Sequence, residues 1–296
     1  MLCPPTDSAL LRLVELTFDG LALGSLMALG AVGLTLIYGI LRLPNFAHGD
    51  LMTWGAYFTL LGLQWHLPLG GAFLLSVALS LLLVLAIDRL VWLPLRSQQA
   101  NSPTFMISSI GLALVLRNSI LFLWGAENQT YGLPLAEPIA LFCIPIVFYR
   151  LLILGLAIVI LAGLQYLLHH TTLGKAMRAV ADNSELAAVT GINVDRIILY
   201  TWILAGSLTA LGGGLYGLVT VVRPSMGWFL VLPLFASVIL GGIGNPSGAI
   251  VGAVAIGVVQ EVSTVWLPNE YKLIVALGMM LLVLLVRPQG LFRGTF

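Results

Sequence analysis

With 296 residues, 59% hydrophobic and only 8% charged, the chain lacks the polar surface a water-soluble protein needs; soluble domains carry about 25% charged residues. A mean hydropathy of +1.05 and a net charge of +1 exclude a soluble enzyme, a disordered protein and a nucleic-acid binder. Two cysteines, Cys3 and Cys143, are too few for a disulfide framework or a thiolate metal site.

Asp7, Arg12, Glu15 and Asp19 precede the first apolar run, which is too acidic for the n-region of a signal peptide. The start is therefore expected to be that of a mature polytopic membrane protein. Gly20–Leu41 carries no charge and is long enough to cross a bilayer. Tyr38-Gly39-Ile40-Leu41-Arg42-Leu43-Pro44-Asn45-Phe46-Ala47-His48-Gly49-Asp50 then interrupts helix, because Pro44 biases Leu43 away from helical geometry and two glycines weaken either side. Two readings stand. Asn45, His48 and Asp50 line a polar pathway at a helix break, or they are solvated residues of an ordinary turn.

Leu51–Ile87 is uncharged but interrupted by Trp65-His66-Leu67-Pro68-Leu69-Gly70-Gly71, which predicts two spans and a turn. Ser97–Leu116, continuing to about Trp124, and Pro138–Leu168 are the next candidates. Arg117 and Arg150 near their ends are expected to snorkel, with contact to a substrate carboxylate as the second reading. Spans over Ile197–Val222 and Tyr271–Val286 follow, with Pro224–Gln260 broken at Gly241-Gly242-Ile243-Gly244-Asn245-Pro246-Ser247-Gly248. That break cannot be helix; backbone so irregular at membrane depth must be enclosed by protein or face a cavity. Asn245 with Gly248 faintly echoes Asn45 with Gly49, as in internally repeated transporters.

Between His169 and Arg196 lies a long polar loop. Thr171–Ala181 reads as a helix, with Leu173, Met177 and Val180 on one face and Lys175 and Arg178 on another. Asp182 is expected to cap a second helix, with Glu185 closing a capping box, and Gly191 to end it. Two short helices outside the membrane suggest a docking surface for a soluble partner at Ala187 and Ala188, or an interfacial linker. Spacings such as Gly20-x-x-x-Gly24 and Gly213-x-x-x-Gly217 point to close helix packing.

The reading is an all-α membrane protein of one domain, residues 1–296, with about eight to nine segments, some broken or re-entrant. An N-terminus outside and a C-terminus inside place eight Lys/Arg inside (Arg42, Arg89, Arg96, Lys175, Arg178, Arg196, Arg287, Arg293) against Arg12, Arg223 and Lys272 outside. There is no G-x-x-x-x-G-K-[ST], H-E-x-x-H, C-x-x-C or G-x-S-x-G sequence. No acidic residue is expected well inside a span, since Asp50, Asp88 and Glu261 fall at ends; this weighs against an ion-driven carrier.

Asn45-Phe46-Ala47-His48-Gly49-Asp50 is similar to an N-x-A-H-G-[DE] signature. The run Leu173-Gly174-Lys175-Ala176-Met177-Arg178-Ala179 through Asp182, Ala188, Gly191, Ile192 and Asn193, with Pro224-Ser225-Met226-Gly227 and Gly241–Asn245, completes a pattern along the whole chain. It resembles the permease subunits of bacterial ABC importers for branched-chain and other neutral amino acids. Glu185-Leu186-Ala187-Ala188 is only a loose version of the wider importers' E-A-A-x-x-x-G pattern. The resemblance implies an inner-membrane permease working with a second, homologous permease, two cytoplasmic ATPase subunits that bind ATP and Mg, and a periplasmic binding protein. The chain itself would be non-catalytic and hold no cofactor or metal. Asn45, His48, Gly49, Gly242, Gly244 and Asn245 are the candidate pathway residues. Arg178, Asp182, Glu185, Ala187, Ala188 and Gly191 are the candidate ATPase contacts, within the loop at about 169–196. Urea importers belong to the same permease family, and a carrier or facilitator working without ATP is the rival class.

Overall fold

A computed structural model describes residues 9–133, 138–141, 144–287 and 289–292. Cys3, Asp7, Cys143, Arg293 and Phe296 lie outside them. Helix α1 (Ala9–Leu41) is followed by an extended stretch and α2 (His48–Gln64), then by α3 (Leu69–Ile87). A π-helical turn, Asp88–Trp92, joins α3 to α4 (Leu93–Ser97), and α5 (Ser102–Trp124) starts where the Asn101 side chain accepts from Thr104 N–H. After the short strands β1 (Pro138–Leu141) and β2 (Ile144–Val147) come α6 (Phe148–His170), α7 (Thr172–Asp182), α8 (Ser184–Val189) and α9 (Val194–Val219). Helices α10 (Met226–Gly241), α11 (Pro246–Val262) and α12 (Lys272–Val286) complete the order.

The protein is a helical membrane bundle. Among the described residues seven helical stretches are long and apolar enough to cross a membrane. Helices α2 and α10 have only 17 and 16 residues, roughly 24–26 Å each, against a hydrocarbon core of about 30 Å. The expected span from Pro138 begins ten residues late, at Phe148. The intervening stretch is an antiparallel pair with Pro138 opposite Val147 and Ile144 opposite Leu141. Pro138 and Pro145 lack the N–H a helix needs and disfavour helical geometry in the residue before them.

Helix α1 is the buried axis. Its 33 residues reach about 50 Å, and it starts well ahead of the charge-free run because Asp19 is carried inside the helix and paired with Arg150. It packs along α11, where a Cβ on Gly24 would lie 2.7 Å from Val254 Cα and one on Gly20 2.5 Å from Val258 Cα. The small-residue spacing lets the two backbones touch.

The bundle has two distinct ends. Arg42, just past α1, donates to the Ala181 carbonyl of α7 (3.3 Å). Gln165 near the end of α6 bonds Ser247 at the start of α11 (3.0 Å). Leu291 and Phe292, beyond α12, donate to the last carbonyls of α10. All of these share the α7–α8 end. Asp19, Arg150, Thr220, Glu261 and Lys272 line a cavity at the far end.

Candidate functional site

Asn45 begins the site. Its side chain accepts from Ala47 N–H (3.1 Å) and its carbonyl from His48 N–H (3.2 Å), closing a turn that delivers the chain into α2. The turn is held from the side by Ser109 of α5, which accepts from Phe46 N–H at 3.1 Å. His48 then inserts against α1, where its Nε2 lies 2.8 Å from the Gly30 carbonyl. A carbonyl only accepts, so Nε2 carries the proton and Nδ1 is the free acceptor. Thr209 of α9 approaches the same Nε2 at 3.5 Å.

These residues are deep in the bundle. Gly30 precedes the end of α1 by eleven residues, about 16 Å along the axis. Asn45, His48 and Asp50 are fully buried, so the ordinary-turn reading fails and the helix break is real. Asn45 Nδ2 and His48 Nδ1 have no hydrogen-bond partner among the described residues. One donor and one acceptor are therefore held inside the break.

Gly49 meets Gly227. A Cβ built on either glycine would overlap the carbonyl oxygen of the other. The first turns of α2 and α10 thus cross backbone to backbone at this depth, tied by Thr53 Oγ1, which accepts from Gly227 N–H at 3.0 Å. At Asp50, the residue after Gly49, Arg117 donates to the carboxylate through Nε and Nη2, both at 3.2 Å. The guanidinium also lies 4.9 Å from the centre of the Trp228 ring, a cation–π distance.

Two expectations are corrected here. Asp50 is an acidic residue well inside the bundle, and Arg117 pairs with it instead of snorkelling. A charge in an apolar interior is retained only with a partner, and Asp50 is that partner for Arg117. Arg150, in the first turn of α6 with its side chain 35% exposed, stays at the bundle end as expected and also pairs with Asp19. Tyr131, from the loop after α5, closes the far side of α2 with its hydroxyl 3.1 Å from both the Ala56 and Gly214 carbonyls. Burial pushes its phenol above the usual range, so it stays a neutral donor.

The candidate pathway residues divide into two groups. Gly242, Gly244 and Asn245 sit at the other end of α10, roughly 24 Å from Gly227, at the α7–α8 end of the bundle. Asn245 caps α11 by accepting from Gly248 N–H (3.1 Å). Gly242 has φ +107°, and a Cβ there would overlap the Phe292 carbonyl oxygen. Gly244 has φ +87° and open space around it. The segment that meets Gly49 is therefore Pro224–Gly227, while Asn245–Gly248 lies at the α7–α8 end. Replacing Gly242 by Ala is expected to destabilise the protein by about 2 kcal/mol or more, since strain and overlap add. Gly244→Ala should cost about 1 kcal/mol, from strain alone. Thermal unfolding of the two variants would check the order.

At the α7–α8 end, Thr171 caps α7 by accepting from Gly174 N–H (3.2 Å). Asp182 is the last residue of α7, and the cap of α8 is Asn183, whose side chain accepts from Leu186 N–H at 3.0 Å. The expected cap is thus off by one, because Asn183 N–H still closes the last turn of α7 on Ala179. Gly191 has φ +92°. Ile192 N–H reaches the Ala187 carbonyl and Gly191 N–H the Ala188 carbonyl, a Schellman ending. Ala187 is buried against the bundle, so the two alanines do not share one docking face. Ala188, Leu186 and Val189 point outward, with Glu185 on the exposed first turn. Arg178 faces His169 at 3.5 Å.

Sequence reasoning missed Thr53, Gly30, Thr209, the meeting of Gly227 with Gly49 and the Asp50–Arg117 pair. Opposite charges within two apolar runs were the available signal for the pair.

The permease protein LivH of the high-affinity branched-chain amino acid transport system of Salmonella typhimurium is 29% identical over 95% of this chain and 96% of its own length. The corresponding BraD protein of Pseudomonas aeruginosa is also 29% identical, covering 92% of this chain and 93% of its own. A solved structure, PsaBC from Streptococcus pneumoniae in complex with Fab, shares the fold with a TM-score of 0.54 at 14% identity, covering 94% of this chain and 92% of that one. Residues 16–284 match the family described as the branched-chain amino acid transport system permease component, a range that takes in both crossed half-helices and the α7–α8 loop, and the chain belongs to that family.

Proposed function

We propose that this chain is the transmembrane permease subunit of an ATP-driven importer for branched-chain and other neutral hydrophobic amino acids. It works in a bacterial inner membrane, beside a second homologous permease. A periplasmic binding protein delivers the substrate, and two cytoplasmic ATPase subunits, which hold ATP and Mg, drive the cycle. The observation that carries this reading is the exposed apolar surface of α8, Leu186, Ala188 and Val189, on a helix outside the spans. A soluble partner that covers this face accounts for it. The α7–α8 end, rich in Arg42, Lys175, Arg178 and Arg196, is the cytoplasmic one under the positive-inside rule.

The crossing of α2 on α10 is the candidate pathway element, with Asn45, His48 and Gly49 beside it. Asp50 is neutralised by Nε and Nη2 of Arg117, so it offers no bare carboxylate to a coupling ion, which counts against a carrier. Uptake into inside-out-free vesicles carrying the binding protein tests the reading. Vanadate-sensitive, binding-protein-dependent entry of L-leucine is expected, and uncoupler-sensitive entry without ATP would overturn it. Saturable entry of urea in place of leucine would move the chain to the urea branch. A reporter beside Asn128 should be periplasmic and one after Phe296 cytoplasmic; the reverse would sink the docking argument.

Ala188→Arg should leave the protein folded and in the membrane, because the site is exposed, yet lower uptake tenfold or more. A long charged side chain cannot enter a groove shaped for a methyl group. Co-purification of the ATPase subunits should fall with it. Normal uptake and normal co-purification would remove α8 as the docking element.

A further inference from the structure

The cavity at the far end of the bundle has a volume of about 190 Å³, the share of roughly six waters. Two ion pairs converge on it. Asp19 of α1 holds Arg150 of α6, and Glu261 of α11 holds Lys272 of α12, with Nζ at 2.7 and 2.8 Å from the two carboxylate oxygens. Ala22, Leu23, Leu26 and Val219 supply an apolar wall. The four side chains are partly exposed, 15–35%, so they keep their charges at the mouth of the bundle while facing the cavity between them. The two pairs, drawn from four helices, share one small space.

We propose that this cavity binds a small zwitterion. The ligand's ammonium is taken by the carboxylates of Asp19 and Glu261 and its anionic group by Arg150 and Lys272, which turns two separate pairs into one alternating ring of charge. The four side chains sum to zero, so a ligand with both charges and no net charge leaves the cavity neutral. Arg150 meets Asp19 through NH1, and the rest of its five N–H donors are available to an anion. The apolar wall takes a short aliphatic chain. Two sources have this chemistry: a free amino acid, and the headgroup of a zwitterionic phospholipid. The first deepens the functional reading above and rests on it, since the far end is where an importer receives its substrate.

The complete importer in nanodiscs of phosphatidylglycerol, with neither binding protein nor nucleotide, is the material for the test. Tritiated L-leucine is expected to bind. Isoamylamine, which lacks the carboxylate, and 4-methylpentanoate, which lacks the ammonium, should not compete. Replacing Glu261→Gln together with Lys272→Met should weaken binding by about tenfold or more, the loss expected for charged hydrogen bonds. Leu23→Phe, at a partly exposed position on the cavity wall, narrows the cavity without touching a charge and should do the same with little change in thermal stability. If leucine does not bind but phosphatidylethanolamine, added to the bilayer, is retained by native mass spectrometry and lost in both variants, the zwitterion is a headgroup and the site stands. Binding of neither probe, or binding that both variants leave intact, overturns the proposal. A wild-type importer that binds leucine here but shows no ATP-dependent uptake would instead overturn the functional reading.

Discussion

Gly227→Ala is expected to abolish uptake and to destabilise the folded permease by about 3 kcal/mol or more, beyond the usual range for an added methylene in a packed core. The added Cβ would overlap the Gly49 carbonyl oxygen. That oxygen belongs to the backbone, so no rotamer change can move it away. Gly49→Ala should fail in the same way against the Gly227 carbonyl. The double variant should cost less than the sum of the singles, because both report on one contact between the same two segments. Gly111→Ala and Gly278→Ala are the controls. At neither site does the new carbon meet anything within 4 Å beyond its own stretch of helix, and inside a helix alanine adds about 0.5–1 kcal/mol of stability. Thermal unfolding of purified protein and leucine uptake in vesicles would read all five variants. A Gly227→Ala protein with normal stability would mean that α2 and α10 do not cross where described.

Removing one member of the Asp50–Arg117 pair should be nearly as damaging. Arg117→Met leaves a buried carboxylate, 1% exposed as a residue, with neither of its guanidinium bonds. Breaking a buried pair in this way costs about 3–5 kcal/mol. Asp50→Asn leaves the guanidinium over Trp228 without its counter-charge and should cost somewhat less, since Arg117 keeps the ring. Replacing both, Asp50→Asn with Arg117→Gln, should recover much of the loss, because no uncompensated charge remains. Chemical denaturation in detergent and the yield of folded protein would rank the three. If the double variant were worse than Arg117→Met, the pair would be making contacts that the ion-pair account omits.

Local chemistry made the helices and their breaks legible. Charge-free length announced the spans, Pro44 announced the break before α2, and Gly191 announced the end of α8, because each effect acts within a few residues. The cap of α8 was legible to within one position, as Asp182 and Asn183 are both able caps and only the closure of α7 decides between them. Pairing across the bundle was not legible. Gly49 and Gly227 are far apart in the chain, and Asp50 and Arg117 are 67 residues apart; nothing in either local sequence names the other. The Gly241–Gly248 break was visible as a break, but not its distance from the Gly49–Gly227 crossing. What covers it is the segment after α12, and that contact too is long-range.

Helix α10 is fastened unequally. At its last turn, Leu291 N–H reaches the Leu240 carbonyl (2.8 Å) and Phe292 N–H the Gly241 carbonyl (3.1 Å), so α12 and α10 are tethered there by main chain. In its middle, Pro233 withholds one rung of the helical ladder, and Ser237 turns its hydroxyl back on the Pro233 carbonyl at 2.7 Å. Only the roughly two turns before Pro233 lie on the glycine crossing. The helix is thus a lever with a fixed heel and a notch at mid-shaft: its last turn is bound to the segment after α12 by main chain, and its weakest point is the missing rung at Pro233, next to the crossing with α2.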